Sequence, residues 1–501
     1  MQTETKIAKE SSIHLLGTVI GIGLNFIWLK VMTTYLSPEN FGLFTLAQSI
    51  INIGLIFVYF GTPKALDRYI PFFNAQGEYG KSKTLILKIL KYTLISAVVI
   101  GSLIVIFSSQ VARQLFSNKE LAPIIQLVVI SIPFLVVIQI ATFTFNGFKE
   151  LRYGIYLNKF LFPILKIGLA LIIFGLGFEL IGWVFAYIAS LILTSCVAVY
   201  YLIKKVFVKY RNNENKKVDI KQIINYAWPL SLSSLLLILL GEIDFIILGA
   251  NGFVKEIAVY RIYIYLASFL TFVINSITTI LKPVTAELIA KNETTKINDT
   301  FKKVTKWMLI TNSFILVGFL FLAKDFITYF FSPGYTIYFI AFFFIIGSQF
   351  FNSMVGPQGI TLEAYGKTKF LLFCLVIMSV INIVLDIVLI PIFNIAGAAM
   401  ATGLALITVN IICSVGLFYY YKIHPFNKNY LKLMMCLILS FAFSYFVVAN
   451  VIPFSNELLV KVISLLTFYI IMFFLIVKFN IMDNLDRKIL VQLKNKLSFK
   501  K

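Results

Sequence analysis

Apolar runs of about twenty residues or more, separated by short polar stretches, recur along the whole chain. A helix rises about 1.5 Å per residue, so such a run crosses a hydrocarbon layer of about 30 Å. The pattern predicts spans over 12–35, 41–61, 86–109, 122–147, 154–177, 180–203, 224–249, 256–281, 304–323, 335–356, 368–391, 395–420, 430–452 and 457–478. Barrel strands would need short segments of alternating polarity, whereas a helix satisfies its own backbone in lipid. The expected fold is therefore all-α and integral to a membrane, with about fourteen transmembrane helices. The polar start MQTETKIAKE precedes an apolar run too long for a signal peptide and without a small-residue cleavage site, so that run reads as the first span.

The polar stretches give the organisation. The longest between spans is 204–221, with Lys204, Lys205, Lys209, Arg211, Lys216, Lys217 and Lys221. It divides an N-lobe, 1–203 (spans one to six), from a C-lobe, 222–420 (spans seven to twelve). Two further spans occupy 421–478, and a basic, weakly amphipathic tail follows over 479–501. With the N-terminus placed in the cytoplasm, inner loops hold Lys64, Arg68, Lys81, Lys83, Lys149, Arg152, Lys291, Lys296, Lys302, Lys303, Lys367, Lys369, Lys422 and Lys428. Outer loops keep Arg113, Lys119, Lys255, Lys324 and Lys461. By the positive-inside rule both termini face the cytoplasm of a cytoplasmic (inner) membrane. The same rule explains most of the formal net charge of +22, so the basic linker is no nucleic-acid patch.

The two lobes echo each other. Phe41-Gly42-Leu43-Phe44 matches Ile257-Ala258-Val259-Tyr260, Phe148-Lys149 matches Tyr365-Gly366-Lys367, and Phe178-Glu179-Leu180-Ile181-Gly182 matches Phe393-Asn394-Ile395-Ala396-Gly397. The offsets lie between 215 and 217 residues. Six spans is an even number, so the copies run in parallel about an axis along the membrane normal, with a substrate site expected between them.

Composition removes other classes. Charged residues make up 13% of the chain, about half the share of a soluble domain. Cys196, Cys374, Cys413 and Cys436 sit apart within apolar runs, which suits neither a disulfide nor a metal site. Ala75–Ser82 ends like a phosphate-binding loop but lacks its first glycine and a preceding strand. Gly21 and Gly23 have no third glycine and sit within a span. With two histidines in the chain, no constellation for covalent chemistry emerges, and no enzyme activity is expected.

The stretch from Asn382 through Asp386, Pro391 and Gly397 to Thr402 resembles the eleventh-to-twelfth helix signature of polysaccharide repeat-unit flippases of the multidrug/oligosaccharidyl-lipid/polysaccharide exporter superfamily. Tyr35-Leu-Ser-Pro-Glu-Asn-Phe-Gly42-Leu-Phe is similar to that family's first outer turn, and Asp244-Phe-Ile-Ile-Leu248 also fits. The resemblance implies alternating-access flipping of undecaprenyl-pyrophosphate-linked oligosaccharide, for lipopolysaccharide or capsule, with a polysaccharide polymerase as a partner beside the membrane lipids. It implies no cofactor beyond Na⁺ or H⁺ coupling. The alternative is a cation-coupled multidrug exporter of the same fold, which would need an acidic cavity.

Charges within spans are costly and face a cavity, a cargo or a partner. The candidates for binding an anionic cargo are Lys166 and Lys159 in span five, Arg261 in span eight, Lys30 in span one and Arg68 at the end of span two. The acidic candidates, for gating or ion coupling, are Asp244, Glu242 and Asp386. Lys30, Arg68 and Lys282 lie near span ends, where snorkelling to headgroups competes with a cargo role. Lys166 is about 15 Å from either headgroup region, and its side chain reaches only about 6 Å. It needs water, an anionic cargo or a carboxylate such as Asp386 or Asp244. Lys159, seven residues earlier, falls on the same face of an ideal helix. Asp244 and Arg261, on neighbouring spans at similar depth, are expected to pair.

Overall fold

The computed structural model describes residues 2–208, 218–451, 457–479 and 481, and all its regular structure is helical. The central part of the basic linker and the tail beyond Ile481 lie outside the described residues. The helices are α1 (Gln2–Tyr35), α2 (Pro38–Tyr59), α3 (Thr62–Ala75), α4 (Tyr79–Gln110), α5 (Leu121–Val129), α6 (Ile132–Gly147), α7 (Leu151–Ile155), α8 (Phe162–Gly175), α9 (Leu180–Leu202) and α10 (Ile220–Ala250). They continue with α11 (Val254–Ala290), α12 (Thr294–Phe330), α13 (Ile340–Val355), α14 (Gln358–Ala364), α15 (Thr368–Phe393), α16 (Ile395–Tyr421), α17 (Lys428–Val451) and α18 (Glu457–Lys478).

Among the described residues twelve helices are long and apolar enough to cross a bilayer, and the number reaches fourteen when each of two bent pairs is one span. Those pairs are the fourth and tenth expected spans, the same position in each half. α5 and α6 meet at 42°, and α13 and α14 at 46°. Pro133 at the start of α6, and left-handed Gly356 followed by Pro357, withhold the N–H groups a continuous helix needs. Span two starts where Ser37 caps Asn40 N–H at 3.2 Å and Pro38 opens the first turn. It stops at Tyr59, because Phe60 and Gly61 are both left-handed. Ala75–Ser82 runs from the last residue of α3 through the turn 76–78 into α4, where Ser82 Oγ donates to Asn74 Oδ1 at 2.9 Å, with no strand before it. The cysteines are free.

The chain packs as two units, Met1–Tyr265 with Leu375–Thr402, and Leu266–Cys374 with Gly403–Lys501. In the first, α2 packs on α4, α5 and α10, while α9 packs on α6 and α8. Its centre is aromatic: Trp183 is fully buried, stacks on Trp28 at 4.1 Å and takes the edge of Phe44 at 6.4 Å. A Cβ at Gly42 would strike the Val254 carbonyl, so this glycine sets how closely α2 approaches the start of α11. The paired glycines of the repeat have matching jobs. A Cβ at Gly182 would strike Ile173 at the end of α8, and one at Gly397 would strike Leu389 near the end of α15. Ile173 and Leu389 stand at nearly the offset that separates the glycines.

In the second unit α12 packs on α13, α17 and α18. Asn312 ties it to α13 and α11, donating to Ser353 Oγ at 2.5 Å and the Leu270 carbonyl at 3.2 Å. α18 shows the lipid-adapted surface: Phe468, Met472 and Ile476 are buried, yet Ile470, Phe473 and Phe474 are exposed. Water would penalise that apolar face, whereas lipid tails match it.

Candidate functional site

Three clusters of charge lie within the helices of the first unit. The first is acidic. Asn382 and Asp386 are four residues apart on α15, hence on one face, and both are fully buried. Asp244, from α10, is buried with them. Asp244 accepts from Tyr260 Oη at 2.6 Å, from Thr402 Oγ1 at 2.7 Å and from Asn382 Nδ2 at 3.4 Å. Asn382 Nδ2 also donates to Thr402 Oγ1 at 3.1 Å. Asp386 lies carboxyl to carboxyl against Asp244, and apart from that contact its oxygens and Asn382 Oδ1 find no partner among the described residues. Two adjacent carboxylates in low dielectric require a compensating positive charge, either a proton or a metal ion. The paired carboxyls suit a shared proton, and with Asn382 Oδ1 they are also oxygen donors of the kind a hard cation prefers. Among the described residues no group of three His, Cys, Asp or Glu side chains forms a metal site.

The second cluster replaces an expected pair. Arg261 meets Glu242, Nη2 to Oε2 at 3.5 Å, while its guanidinium lies 3.9 Å above the Phe245 ring. Glu242 also accepts from Ser49 Oγ at 2.5 Å and Asn52 Nδ2 at 2.9 Å. Asp244 therefore does not pair with Arg261. Two residues along a helix turn about 200°, so Glu242 and Asp244 serve opposite faces of α10. The Glu242 face carries a four-residue tie joining α2, α10 and α11.

Lysines form the third cluster. Lys166 is 6% exposed, and its Nζ lies 3.4 Å from Asn25 Oδ1, 4.2 Å from the Trp28 ring centre and 5.1 Å from that of Phe162. Among the described residues no carboxylate lies within ion-pair distance of it. Ring faces and one amide thus stand where a carboxylate was one of the expected partners, and cation–π attraction offsets part of the desolvation cost. Lys159 stands in a π-helical turn, Tyr156–Leu161, which shifts the helix register between the two lysines. Both still meet α1, Lys159 laying its stem on Gly21 and Lys166 reaching Asn25 one turn further on.

The remaining candidates lie apart from these clusters. Lys30 is half-buried near the end of α1 and its carbonyl accepts from Thr33 and Thr34. Arg68 is not on span two but exposed on α3, with its guanidinium 5.7 Å from the Tyr69 ring centre. In the second unit, Lys282 pairs with Glu363 at 2.7 Å on the surface. Sequence reasoning missed Tyr260, Ser49, Asn52, Asn25 and Trp28, because nothing in the pattern says which helices are neighbours. Asn382 and Thr402 were within the quoted signature, and their spacing from Asp386 was the available signal.

Comparison with known proteins fits this geometry. A family model described as polysaccharide biosynthesis protein matches residues 7–289, and the MatE model matches 229–388. A probable low-salt glycan biosynthesis flippase of Haloferax volcanii is 23% identical over 405 residues, covering 80% of this chain and 81% of that protein. An uncharacterized membrane protein of Methanocaldococcus jannaschii is 23% identical over 429 residues, covering 80% and 82%. The solved structure of the lipid II flippase MurJ in an inward closed conformation aligns with TM-score 0.70 and 17% identity over 94% of this chain and 99% of that one. An inward-facing multidrug resistance MATE family transporter of the MOP superfamily aligns with TM-score 0.65 and 15% identity over 80% and 94%. The fold is thus that of the MOP-superfamily transporters, a multi-pass helical membrane class. The chain belongs to the polysaccharide biosynthesis protein family.

The Glu242 tie makes a prediction about stability. A double-mutant cycle of Glu242→Gln with Arg261→Met, read from unfolding free energies in detergent, is expected to give a coupling of about 0.5–3 kcal/mol. The cycle of Asp244→Asn with Arg261→Met is expected to be additive within about 0.5 kcal/mol. Strong coupling in the second cycle alone would contradict the assignment.

Proposed function

We propose that the protein flips an undecaprenyl-pyrophosphate-linked oligosaccharide repeat unit across the cytoplasmic membrane by alternating access of two six-helix lobes, 1–203 and 222–420. On this reading both termini are cytoplasmic, and a polysaccharide polymerase takes the delivered repeat unit. The observation that carries the reading is Lys166: a cation held deep in span five with no carboxylate partner among the described residues. Among the described residues one amide acceptor meets its three donors, and at 3.4 Å that contact is long. A phosphate oxygen is the stronger partner, because both groups are ionised. Trp28 and Phe162 cover the ammonium in this state, so cargo reaches it once α1 parts from α8. Lys159, seven residues before Lys166 and packed on Gly21 of α1, extends the positive path. Lysine is a compact point charge, suited to a phosphate that must move on.

The buried acidic group is read as the coupling site. Its two carboxylates, with Asn382, Thr402 and Tyr260 hydrogen-bonded around them, form a close-packed oxygen cluster that suits a proton or Na⁺. An organic drug cation would need a wider acidic cavity, so the exporter alternative gains no support from this cluster. Binding or release of one positive charge there changes the electrostatic cost of burying Asp244 and Asp386 together, which biases the helices that carry them.

Two outcomes are expected in reconstituted vesicles. Lys166→Ala and Lys166→Gln should each lower flipping of pyrophosphate-linked oligosaccharide by about a hundredfold or more, the cost of truncating one partner of a buried charge contact, with Lys166→Arg keeping part of it. Wild-type rates in Lys166→Ala would remove span five from the cargo path. Asp386→Asn should abolish stimulation by a Na⁺ or proton gradient while leaving pyrophosphate-lipid binding intact. A gradient response unchanged in that variant would overturn the coupling assignment alone.

A further inference from the structure

Within the second unit, two cavities share the wall formed by Pro425. One, of about 450 Å³, is apolar and is lined by Phe301, Val355, Val415, Phe418 and Ile423, with Ser414 and His424 among them. The other, of about 100 Å³, is basic: Lys302, Lys303 and Lys306 face it, against a single acidic residue, Asp299. The same turn of α12 builds both, since Phe301 enters the apolar slot and the next two residues are the lysines. The connection 422–427 between α16 and α17 closes the other side.

Three observations say what belongs there. Among the described residues Lys302 and Lys303 make no ion pair, whereas Lys291, Lys296 and Lys282 nearby in sequence each find a glutamate. Ser414 and His424 belong to the wall of the apolar slot, and within that wall the buried His424 Nδ1 and Ser414 Oγ have no hydrogen-bond partner among the described residues. The outer surface around the slot carries exposed Tyr419 and Tyr420, the amphipathic rings that mark headgroup depth, beside exposed Phe426. An apolar slot at that depth, beside the ammonium groups of Lys302 and Lys303 and with two unpartnered polar atoms in its wall, is complementary to one chemistry: a hydrocarbon chain joined through ester oxygens to a phosphate.

We propose that this is a binding site for one anionic phospholipid, with an acyl chain in the Phe301–Phe418 slot, its ester at Ser414 and His424, and its phosphate on Lys302 and Lys303. By the positive-inside assignment the site lies on the cytoplasmic leaflet, whose anionic lipids are attracted to juxtamembrane lysines. None of its residues belongs to the three buried-charge clusters, so the lipid is a structural or regulatory ligand and not the cargo. It clasps α12 to the α16–α17 connection.

The test is native mass spectrometry of the full-length protein released from detergent with added dioleoylphosphatidylglycerol, dioleoylphosphatidylcholine or undecaprenyl phosphate. Phosphatidylglycerol is expected to be retained at one site, and phosphatidylcholine to be lost. Lys302→Gln with Lys303→Gln should weaken phosphatidylglycerol about thirtyfold, from about one unit of surface-lysine attraction per residue. The Arg pair at the same positions should keep it, and Val415→Trp, which fills the slot from its exposed side, should displace it without touching the charge. Equal retention of the two phospholipids, or a glutamine pair that binds as wild type does, would overturn the site. Preferential retention of undecaprenyl phosphate would overturn the choice of lipid and make the slot a docking place for the cargo's tail. These lipid readouts are independent of flipping, so they stand apart from the fate of Lys166.

Discussion

An ionised group in hydrocarbon must be compensated where it stands, because no water is at hand to screen it. Asp244, Asp386 and Lys166 are all nearly or fully buried, and each answers this demand differently. Asp244 spends its oxygens on a tyrosine, a threonine and an asparagine. Asp386 has the Asp244 carboxyl as its polar partner among the described residues, and two adjacent carboxyls call for a shared proton or another positive charge. Lys166 lies against two aromatic faces and one amide oxygen. Partial compensation of this kind is costly for stability alone. It makes sense in a machine where the missing partner is a cargo or an ion that arrives and leaves.

The scaffold keeps these charges in place through close helix contacts. Gly182 and Gly397 allow the same tight turn after the fifth and eleventh spans, and in the second case that turn brings Thr402 of α16 beside Asn382 of α15. Gly42 brings α2 against the start of α11, close to where Ser49 and Asn52 reach Glu242. The repeat is thus more than a similarity of letters. Its conserved geometry is put to different chemical use: aromatic packing around Trp183 in one half, and an acidic pocket in the other.

Much of this was legible in the chain. Span number and order are linear properties of hydropathy, and the fourteen expected runs reappear when the bent pairs are taken as single spans. The bends were hidden because run length ignores Pro133 and the Gly356-Pro357 pair, although both were in plain view. The separate helix carrying Arg68 was hidden likewise, since its break depends on two left-handed residues. Pairing was least legible. Depth alone suggested Asp244 for Arg261, but helical phase gives that arginine to Glu242, and α2 supplies the other two partners. The aromatic setting of Lys166 needs Trp28, which lies far away in sequence and adjacent only in the folded unit.

The central claim is that the cargo is an anion carried past a buried lysine. Its most direct test compares cargo charge in vesicles holding the purified protein, with protection from a membrane-impermeant reagent as the readout. The account predicts rapid flipping of a pyrophosphate-linked oligosaccharide and at least tenfold slower flipping of the same oligosaccharide on an uncharged lipid, a difference of about 1.4 kcal/mol in the barrier. Equal rates for the two lipids, or transport of organic cations in place of either, would contradict it.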